Sequence, residues 1–241
     1  MTIRAVIFDI YGTLLEVGPA PPNADARWQR LCRDLLHINP PLSRLDFSVA
    51  SSEVIARHHQ AARARGIAWP EVHWPSVVIE VLPELAQLAP HDQEEFLFRQ
   101  IQTDHTTRMA VETAATLHLL KERQCLLGTA SNAQAYTLRE LNEALGANAL
   151  ALDLFDRHLC FWSFEHGFSK PDPRVFQILT ARLAALGISP RDTLMVGDRL
   201  DNDIEPAKAH GWQTWQLGPA GDGDWAGLRH TLRGLQPKAL P

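Results

Sequence analysis

The chain has 241 residues, of which 45% are hydrophobic and 21% charged. That is enough for one large domain or for a core with a smaller inserted domain. Its 28 acidic residues outnumber its 23 lysines and arginines, which gives a formal net charge of −5. Because nucleic acids and anionic membranes attract basic surfaces, this balance argues against both as partners. We expect a small-molecule substrate instead, and the sequence leaves the oligomeric state open.

The cysteines and the N-terminal segment predict where the protein resides. Cys32, Cys125 and Cys160 are widely spaced and odd in number, which fits reduced thiols better than a disulfide framework or a zinc site. The first apolar run is too short for a signal peptide, and no stretch approaches the ~18 apolar residues of a membrane span. These features predict a cytoplasmic protein.

The beginning of the chain predicts one buried strand followed by a helical insertion. Residues 4–10 are almost continuously apolar, as in a strand that is covered on both faces of a parallel sheet. From the proline-rich loop that follows to about Thr107 we find no convincing strand, whereas apolar residues recur at helical spacing. Ser43 is a candidate N-cap for a helix that ends near Gly66, and Pro75 suits the first turn of another.

The second half of the chain alternates between strand and helix patterns. The strand patterns cover residues 124–130, 158–162, 193–198 and 213–217. Such alternation predicts an α/β core with a doubly wound parallel sheet. We expect residues 1–16 and 108–241 to form this core and residues 17–107 to form an all-α cap domain. A last helix is expected to include Trp225 and Leu235.

Polar residues follow the ends of several expected strands. The candidate site consists of Asp9, Tyr11, Thr13, Ser131, Asn132, Lys170, Asp198 and Asp203. Because ligands of open parallel sheets bind beyond the carboxyl ends of the strands, we expect these residues to meet at one rim although they are far apart in sequence.

The chemistry of these side chains suits an anionic substrate and a metal ion. A strand-end carboxylate such as Asp9 can act as a nucleophile. The Ser131 hydroxyl and neighbouring backbone N–H groups can bind a phosphoryl oxygen, and Lys170 can neutralise both nucleophile and substrate. Asp198 and the acidic residues after it offer the hard oxygen ligands that Mg²⁺ prefers. Each feature alone has a structural explanation, such as a helix N-cap at Ser131, and only their joint occurrence at strand ends favours a site.

In this order, the segments Asp9-Ile10-Tyr11-Gly12-Thr13, Ser131-Asn132, Lys170-Pro171 and Gly197-Asp198 through Asp203 resemble the motifs of the haloacid dehalogenase-like hydrolase superfamily. The resemblance implies a Rossmann-like core with a helical cap in the first insertion site. It also implies an aspartyl-enzyme intermediate on the nucleophile, charge balance by the lysine, and a Mg²⁺ ion as cofactor.

The resemblance assigns roles to the same residues. It implies metal ligands from Asp9, the backbone carbonyl of Tyr11, and Asp198, with Asp203 as a supporting acid. The substrate-binding residues that it implies are Thr13, Ser131, Asn132 and Tyr11.

Tyr11 departs from the family's phosphatases. Those enzymes usually carry at this position a second Asp that protonates the leaving group and then activates water. A phenol has an ordinary pKa of ~10 and is a poor base near pH 7. A tyrosine here is instead the pattern of the family's 2-haloacid dehalogenases, which need no metal. The acidic run from Asp198 to Asp203 argues against that subfamily, because these carboxylates would repel Asp9 without a cation.

Three functions therefore stay open. The favoured one is a Mg²⁺-dependent phosphohydrolase that acts on a small phosphorylated metabolite with a good leaving group. The second is a 2-haloacid dehalogenase, and the third is a catalytically weak homologue that binds phosphate. Cleavage of carbon–phosphorus bonds through a cap lysine is excluded, because residues 17–107 contain no lysine. The substrate itself cannot be read from the sequence, since the cap residues that select it cannot be placed.

Overall fold

A computed structural model describes residues 3–218 and 221–234 of the chain. Within these residues the strands are β1 (Ala5–Phe8), β2 (Glu16–Gly18), β3 (Thr106–Arg108), β4 (Leu126–Ser131), β5 (Cys160–Trp162), β6 (Thr193–Gly197) and β7 (Gln213–Gln216). Five of them form one sheet in the order β5-β4-β1-β6-β7. Every neighbouring pair in this sheet is parallel, which confirms the predicted α/β core.

The helices separate into two groups along the chain. Those between β2 and β3 are α1 (Ala24–Leu31), α2 (Arg44–Ala64), α3 (Trp74–Val81) and α4 (Pro90–Ile101). Those that follow β3 are α5 (Val111–Glu122), α6 (Ala135–Gly146), α7 (Ser163–His166), α8 (Pro173–Ala185), α9 (Glu205–Ala209) and α10 (Trp225–Gly234). None of the helices in the described ranges is long and apolar enough to cross a membrane.

Strand β1 lies at the centre of the sheet because its side chains are apolar on both faces. All four of its residues are fully buried. Val6 and Phe8 point into a cluster with α5, α6 and α10, whereas Ala5 and Ile7 point into a second cluster with α8 and α9. The alternation of side chains along a strand therefore covers the sheet with helices on both sides, as the continuous apolar run predicts.

The helices between β2 and β3 have an apolar core of their own. Trp28 is its largest buried side chain, and its ring centroid lies 4.9 Å from that of Phe47 and 6.2 Å from that of Phe96. Ser43 caps α2 by accepting a hydrogen bond of 3.1 Å from the backbone N–H of Asp46. The predicted N-cap and the helical character of this region are therefore confirmed.

A short antiparallel ribbon corrects the prediction that this region starts with a loop and contains no strand. Strands β2 and β3 pair Glu16 with Arg108 and Gly18 with Thr106. Three residues are too few for a periodic pattern in the sequence, so the ribbon gave no signal. It joins the start and the end of the inserted segment next to the expected boundaries at 16/17 and 107/108. The division into core and cap remains a prediction.

The last helix was predicted close to its observed position. Helix α10 begins at Trp225 and buries Leu228 and Leu232 against the sheet. The expected participant Leu235 lies outside the described residues.

Candidate active site

Three carboxylates meet where β1 and β6 end. Asp9 directly follows β1, and its backbone N–H donates a hydrogen bond of 3.0 Å to the carbonyl of Val196 in β6. Asp198 directly follows β6, and a π-helical turn over Leu200–Ile204 brings Asp203 back to the same place. Oxygen atoms of Asp9, Asp198 and Asp203 all lie within 4.8 Å of one another. The arrangement places acidic groups from two strand ends at one rim of the sheet.

Lys170 is buried between two of these carboxylates. Its Nζ lies 2.7 Å from Asp9 Oδ1 and 2.5 Å from Asp203 Oδ1. Burial raises the pKa of Asp9 to about 6, although Lys170 opposes this shift. Burial alone would lower the pKa of Lys170, but Asp9 and Asp203 outweigh it and raise that pKa. When the three carboxylates are ionised, the single ammonium balances one of them and two negative charges remain.

The surroundings of Asp198 fit a cation. Burial, followed by the charge of Asp203, raises the pKa of Asp198. Its Oδ1 is buried and has no hydrogen-bond partner among the described residues, and the same holds for the hydroxyl of Thr13. A buried polar atom without a partner is costly, and a bound ion or ligand relieves that cost. The donor set of hard carboxylate oxygens is the one that Mg²⁺ prefers.

Two glycines let these carboxylates lie directly against the backbone. Gly12 has a φ of +79°, and a Cβ there would lie 2.5 Å from Asp198 Oδ2. A Cβ on Gly197 would collide with the side chain of Asp203. The backbone N–H of Arg199 holds the other oxygen of Asp203 at 3.1 Å. The glycines of the sequence motifs therefore make room for the acidic cluster.

Asn132 ties the loop after β4 to the loop that carries Lys170. Its Nδ2 donates to the Lys170 carbonyl at 2.9 Å, and its Oδ1 accepts from the Lys170 backbone N–H at 2.7 Å. Ser131, which ends β4, is buried beside it. Both line a cavity of about 130 Å³ whose walls also include Asp9, Tyr11 and Lys170. The structure thus brings the predicted residues Ser131, Asn132 and Lys170 to the side of Asp9.

The hydroxyl of Tyr11 is engaged by helix α6. It donates to Glu140 Oε2 at 2.5 Å and lies 3.1 Å from Thr137 Oγ1. The other oxygen of Glu140 lies 3.0 Å from His105 Nε2, and the rings of His105 and Tyr11 pack edge to face. Burial and the Glu140 carboxylate raise the pKa of Tyr11. The phenol therefore stays neutral and directs its proton towards Glu140.

Several residues at or near the site were missed by sequence reasoning. Asn202 lines the cavity next to Asp203, and its position within the acidic run was a signal that could have been used. Arg199, for which the sequence leaves open whether it faces the site or the solvent, lines the cavity too. Glu140 and His105 gave no signal, because each reaches Tyr11 only through the packing of segments distant in sequence. Asp203 was predicted only as a supporting acid, yet it binds Lys170 directly.

Fold and site together define a class: α/β proteins with a cluster of carboxylates at the strand ends of a parallel sheet and a helical segment between β2 and β3. The family model for haloacid dehalogenase-like hydrolases matches residues 3–211. The chain belongs to the haloacid dehalogenase-like hydrolase family.

The curated relatives are named phosphatases. The glyceraldehyde 3-phosphate phosphatase of Methanopyrus kandleri is 25% identical over 220 residues, which cover 89% of this chain and 84% of the relative. That of Pyrococcus furiosus is 42% identical over 65 residues, which cover 27% of this chain. This second match spans only a quarter of the relative's length. At these identities the names of the relatives do not fix a substrate for this chain.

Solved structures share the fold over nearly the whole chain. A 2-haloacid dehalogenase from Pseudomonas syringae has a TM-score of 0.59 at 19% identity, with 97% of this chain and 99% of that chain covered. A putative hydrolase of the family from Bacillus subtilis, described as bound to magnesium, has a TM-score of 0.53 at 20% identity, with 96% and 99% covered. At these identities the likeness concerns the fold alone.

Proposed function

We propose that this protein is a Mg²⁺-dependent phosphohydrolase that acts on a small phosphorylated metabolite, with Asp9 as the nucleophile. The observation that carries the proposal is the cluster of Asp9, Asp198 and Asp203 around a single buried lysine. Its two uncompensated negative charges match a divalent cation. The phosphatase names of the curated relatives support the reaction class.

The residues around Asp9 suit attack on a phosphoryl group. Lys170 binds Oδ1 of Asp9, which leaves Oδ2 to attack phosphorus. A bond then forms between this oxygen and phosphorus while the bond from phosphorus to the leaving oxygen breaks, and water later hydrolyses the aspartyl phosphate. Ser131 and Thr13 offer hydroxyls to the phosphoryl oxygens, and Asn132 holds the Lys170 loop in place.

Asp9, Asp198 and the backbone carbonyl of Tyr11 would hold the Mg²⁺ ion, with Asp203 nearby. When bound, the ion supplies positive charge that stabilises the phosphoryl oxygens and offsets repulsion between them and the carboxylates. Within the described residues Asp198 Oδ1 has no other partner, which is why we include this residue among the ligands.

The position of Tyr11 favours substrates with a good leaving group. Its hydroxyl is bound to Glu140, so it is not directed at a leaving oxygen. An acyl or aryl phosphate needs little protonation of that oxygen, whereas an alkyl phosphate needs a proton donor. We expect faster hydrolysis of 4-nitrophenyl phosphate and acetyl phosphate than of glycerol phosphate.

Replacement of the nucleophile tests the proposal. We expect release of phosphate from 4-nitrophenyl phosphate or acetyl phosphate that stops with a chelator, returns with Mg²⁺, and is lost in Asp9→Asn. Asp201→Asn is the matched control, because Asp201 is exposed and forms its ion pair with Arg199 outside the carboxylate cluster. No release from a broad panel of phosphate esters and anhydrides would contradict the proposal and favour a protein that only binds phosphate.

A 2-haloacid dehalogenase remains the second candidate. The tyrosine two residues after Asp9 favours it. Halide release from 2-chloropropionate that a chelator does not affect would support it, and halide release that requires Asp9 without any phosphate release would replace the first proposal.

A further inference from the structure

A segment of the insertion lies against the core loop that leads to Lys170. The carbonyl of Trp69 accepts a hydrogen bond of 2.9 Å from the backbone N–H of Ser169, and the backbone N–H of Glu71 donates one of 3.1 Å to Gly167. Between them, Pro70 and Phe168 form an antiparallel bridge. The segment 69–72 therefore pairs like a short strand with the three residues that precede Lys170.

The side chain of Glu71 is the polar anchor of this segment. Its Oε2 accepts a hydrogen bond of 2.6 Å from the hydroxyl of Ser163, and its Oε1 accepts bonds of 3.0 Å from Gln134 Nε2 and 2.9 Å from the backbone N–H of Val72. These donors are all neutral. Burial raises the pKa of Glu71. A carboxylate in such a place is costly unless its bonds are kept.

The partners of Glu71 connect it to the loop after β4, because Gln134 belongs to that loop and Ser163, the first residue of α7, is bound to it. The hydroxyl of Ser163 accepts a hydrogen bond of 2.9 Å from the backbone N–H of Ala133. Gln134 also donates to the carbonyl of Val72 at 3.0 Å, and its Oε1 accepts from the backbone N–H of Trp74 at 3.2 Å. Glu71 therefore binds the chain near position 133 in two ways, directly through Gln134 and indirectly through Ser163.

These contacts form one connected structure with the lysine of the site. Asn132 holds Lys170 through both its amide atoms, and the segment 69–72 holds residues 167–169 from the other side. The loop of Lys170 is thus fixed between the loop after β4 and the insertion. Loss of the Glu71 side chain removes its bonds to Ser163 and Gln134, so it weakens one of these two supports and leaves the backbone bonds in place.

We propose that Glu71 is a positioning residue, which keeps Lys170 and Asn132 in register with Asp9 from within the inserted domain. This inference rests on the proposed function for its effect on turnover, and on the contacts alone for its effect on the loops. A misplacement of about 1 Å at a reacting group costs on the order of a hundredfold in rate. Through Glu71, the rate of the reaction therefore depends on the position of the inserted segment.

The experiment compares Glu71→Ala with Glu80→Ala. Glu80 is a carboxylate of the same domain that pairs with Arg57 and His58 at the surface. With 4-nitrophenyl phosphate and Mg²⁺, we expect Glu71→Ala to lower kcat about ten- to a hundredfold with a change in KM of less than about threefold. Amide hydrogen exchange should become faster in residues 131–134 and 167–170. Glu80→Ala should leave both measurements at their wild-type values.

A double-mutant cycle tests the route of the effect. Because Ser163 connects Glu71 to Ala133, we expect the losses in kcat of Glu71→Ala and Ser163→Ala to combine less than additively. Glu71→Gln keeps the size of the side chain and replaces Glu71→Ala where the latter does not fold. We expect from it a smaller loss of kcat, of about two- to fivefold, with unchanged KM.

Three results would overturn the inference: wild-type kcat in both Glu71 variants, unchanged exchange in the two loops, or strictly additive losses. Failure of the proposed function is distinguishable, because it appears as a wild-type protein without phosphate release. The comparison of hydrogen exchange then still decides whether Glu71 positions the loops.

Discussion

At the scale of single residues, Tyr11 shows what a phenol binds at the position where the family's phosphatases usually carry a second Asp. A carboxylate at this position would lie beside Asp9, whereas the phenol reaches helix α6 and binds Glu140. Glu140 is itself buried, with a side chain only 2% exposed, and its two oxygens are bound by Tyr11 and His105. The hydroxyl of Tyr11 therefore stabilises a buried carboxylate instead of facing the cavity.

Removal of this hydroxyl is expected to cost stability. In Tyr11→Phe, Glu140 loses a donor and stays buried, so the free energy of unfolding should fall by about 1–3 kcal/mol. Tyr136→Phe is the matched control, because the hydroxyl of Tyr136 makes no hydrogen bond to the described residues. It should change stability by less than about 0.5 kcal/mol. Urea denaturation of the three proteins measures the difference.

Equal stability of the two variants would contradict the importance of the Tyr11–Glu140 bond. Turnover adds a second criterion. If the hydroxyl does not protonate the leaving group, Tyr11→Phe should keep the ratio of rates between 4-nitrophenyl phosphate and glycerol phosphate. A selective loss of glycerol phosphate hydrolysis would show that Tyr11 acts as the acid.

At the scale of secondary structure, the strand ends were predictable because local pattern determines them. The apolar run of residues 4–10 contains β1, and residues 193–198 contain β6, so Asp9 and Asp198 were both expected at a rim. The rule that parallel strands present ligands at their carboxyl ends then suffices to bring them together. The ribbon of β2 and β3 was not predictable, since three-residue strands are defined only by their pairing.

Contacts between segments that are distant in sequence could not be predicted either. Tyr11 and Glu140 are 129 positions apart, and nothing in the pattern around Glu140 distinguishes it from an exposed helical glutamate. Glu71 and Ser163 are 92 positions apart. Such pairs depend on how helices and loops pack, which residue periodicity does not specify.

The turn after β1 provides a prediction at this scale. Gly12→Ala places a Cβ against Asp198 Oδ2 and also strains a backbone with a φ of +79°. Gly66, after α2, separates the two effects, because its φ is +88° and a Cβ there meets nothing within 4 Å. Both variants should lose about 1–3 kcal/mol from backbone strain. Only Gly12→Ala should weaken Mg²⁺ binding, by more than about tenfold.

Isothermal titration with Mg²⁺, together with urea denaturation, measures the two effects. Equal Mg²⁺ affinity in Gly12→Ala and Gly66→Ala would show that the position of Asp198 does not depend on the absence of a side chain at position 12.

At the scale of the whole molecule, the acidic cluster joins segments that are far apart in sequence. Asp9 follows the central strand, Lys170 lies in the loop before α8, and Asp198 and Asp203 follow β6. Without a cation, two negative charges remain uncompensated in a partly buried place, which opposes folding. An ion that binds only the folded state stabilises the entire chain, because unfolding separates the residues that hold the ion.

We therefore expect Mg²⁺ to raise the thermal midpoint of the protein. At a concentration about a hundred times Kd, binding adds about 2.7 kcal/mol, which corresponds to about 5–10 °C for a chain of this size. Asp198→Asn should abolish most of this shift. Asp201→Asn should retain it, since Asp201 belongs to the same loop but lies outside the cluster and pairs with Arg199. Differential scanning calorimetry in Mg²⁺ and in chelator provides the measurement.

Without the cation, Asp198→Asn should be at least as stable as the wild type, because it removes a negative charge from the cluster. An equal Mg²⁺ shift in both variants would place the ion elsewhere, and no shift in the wild type would contradict the proposed Mg²⁺ site.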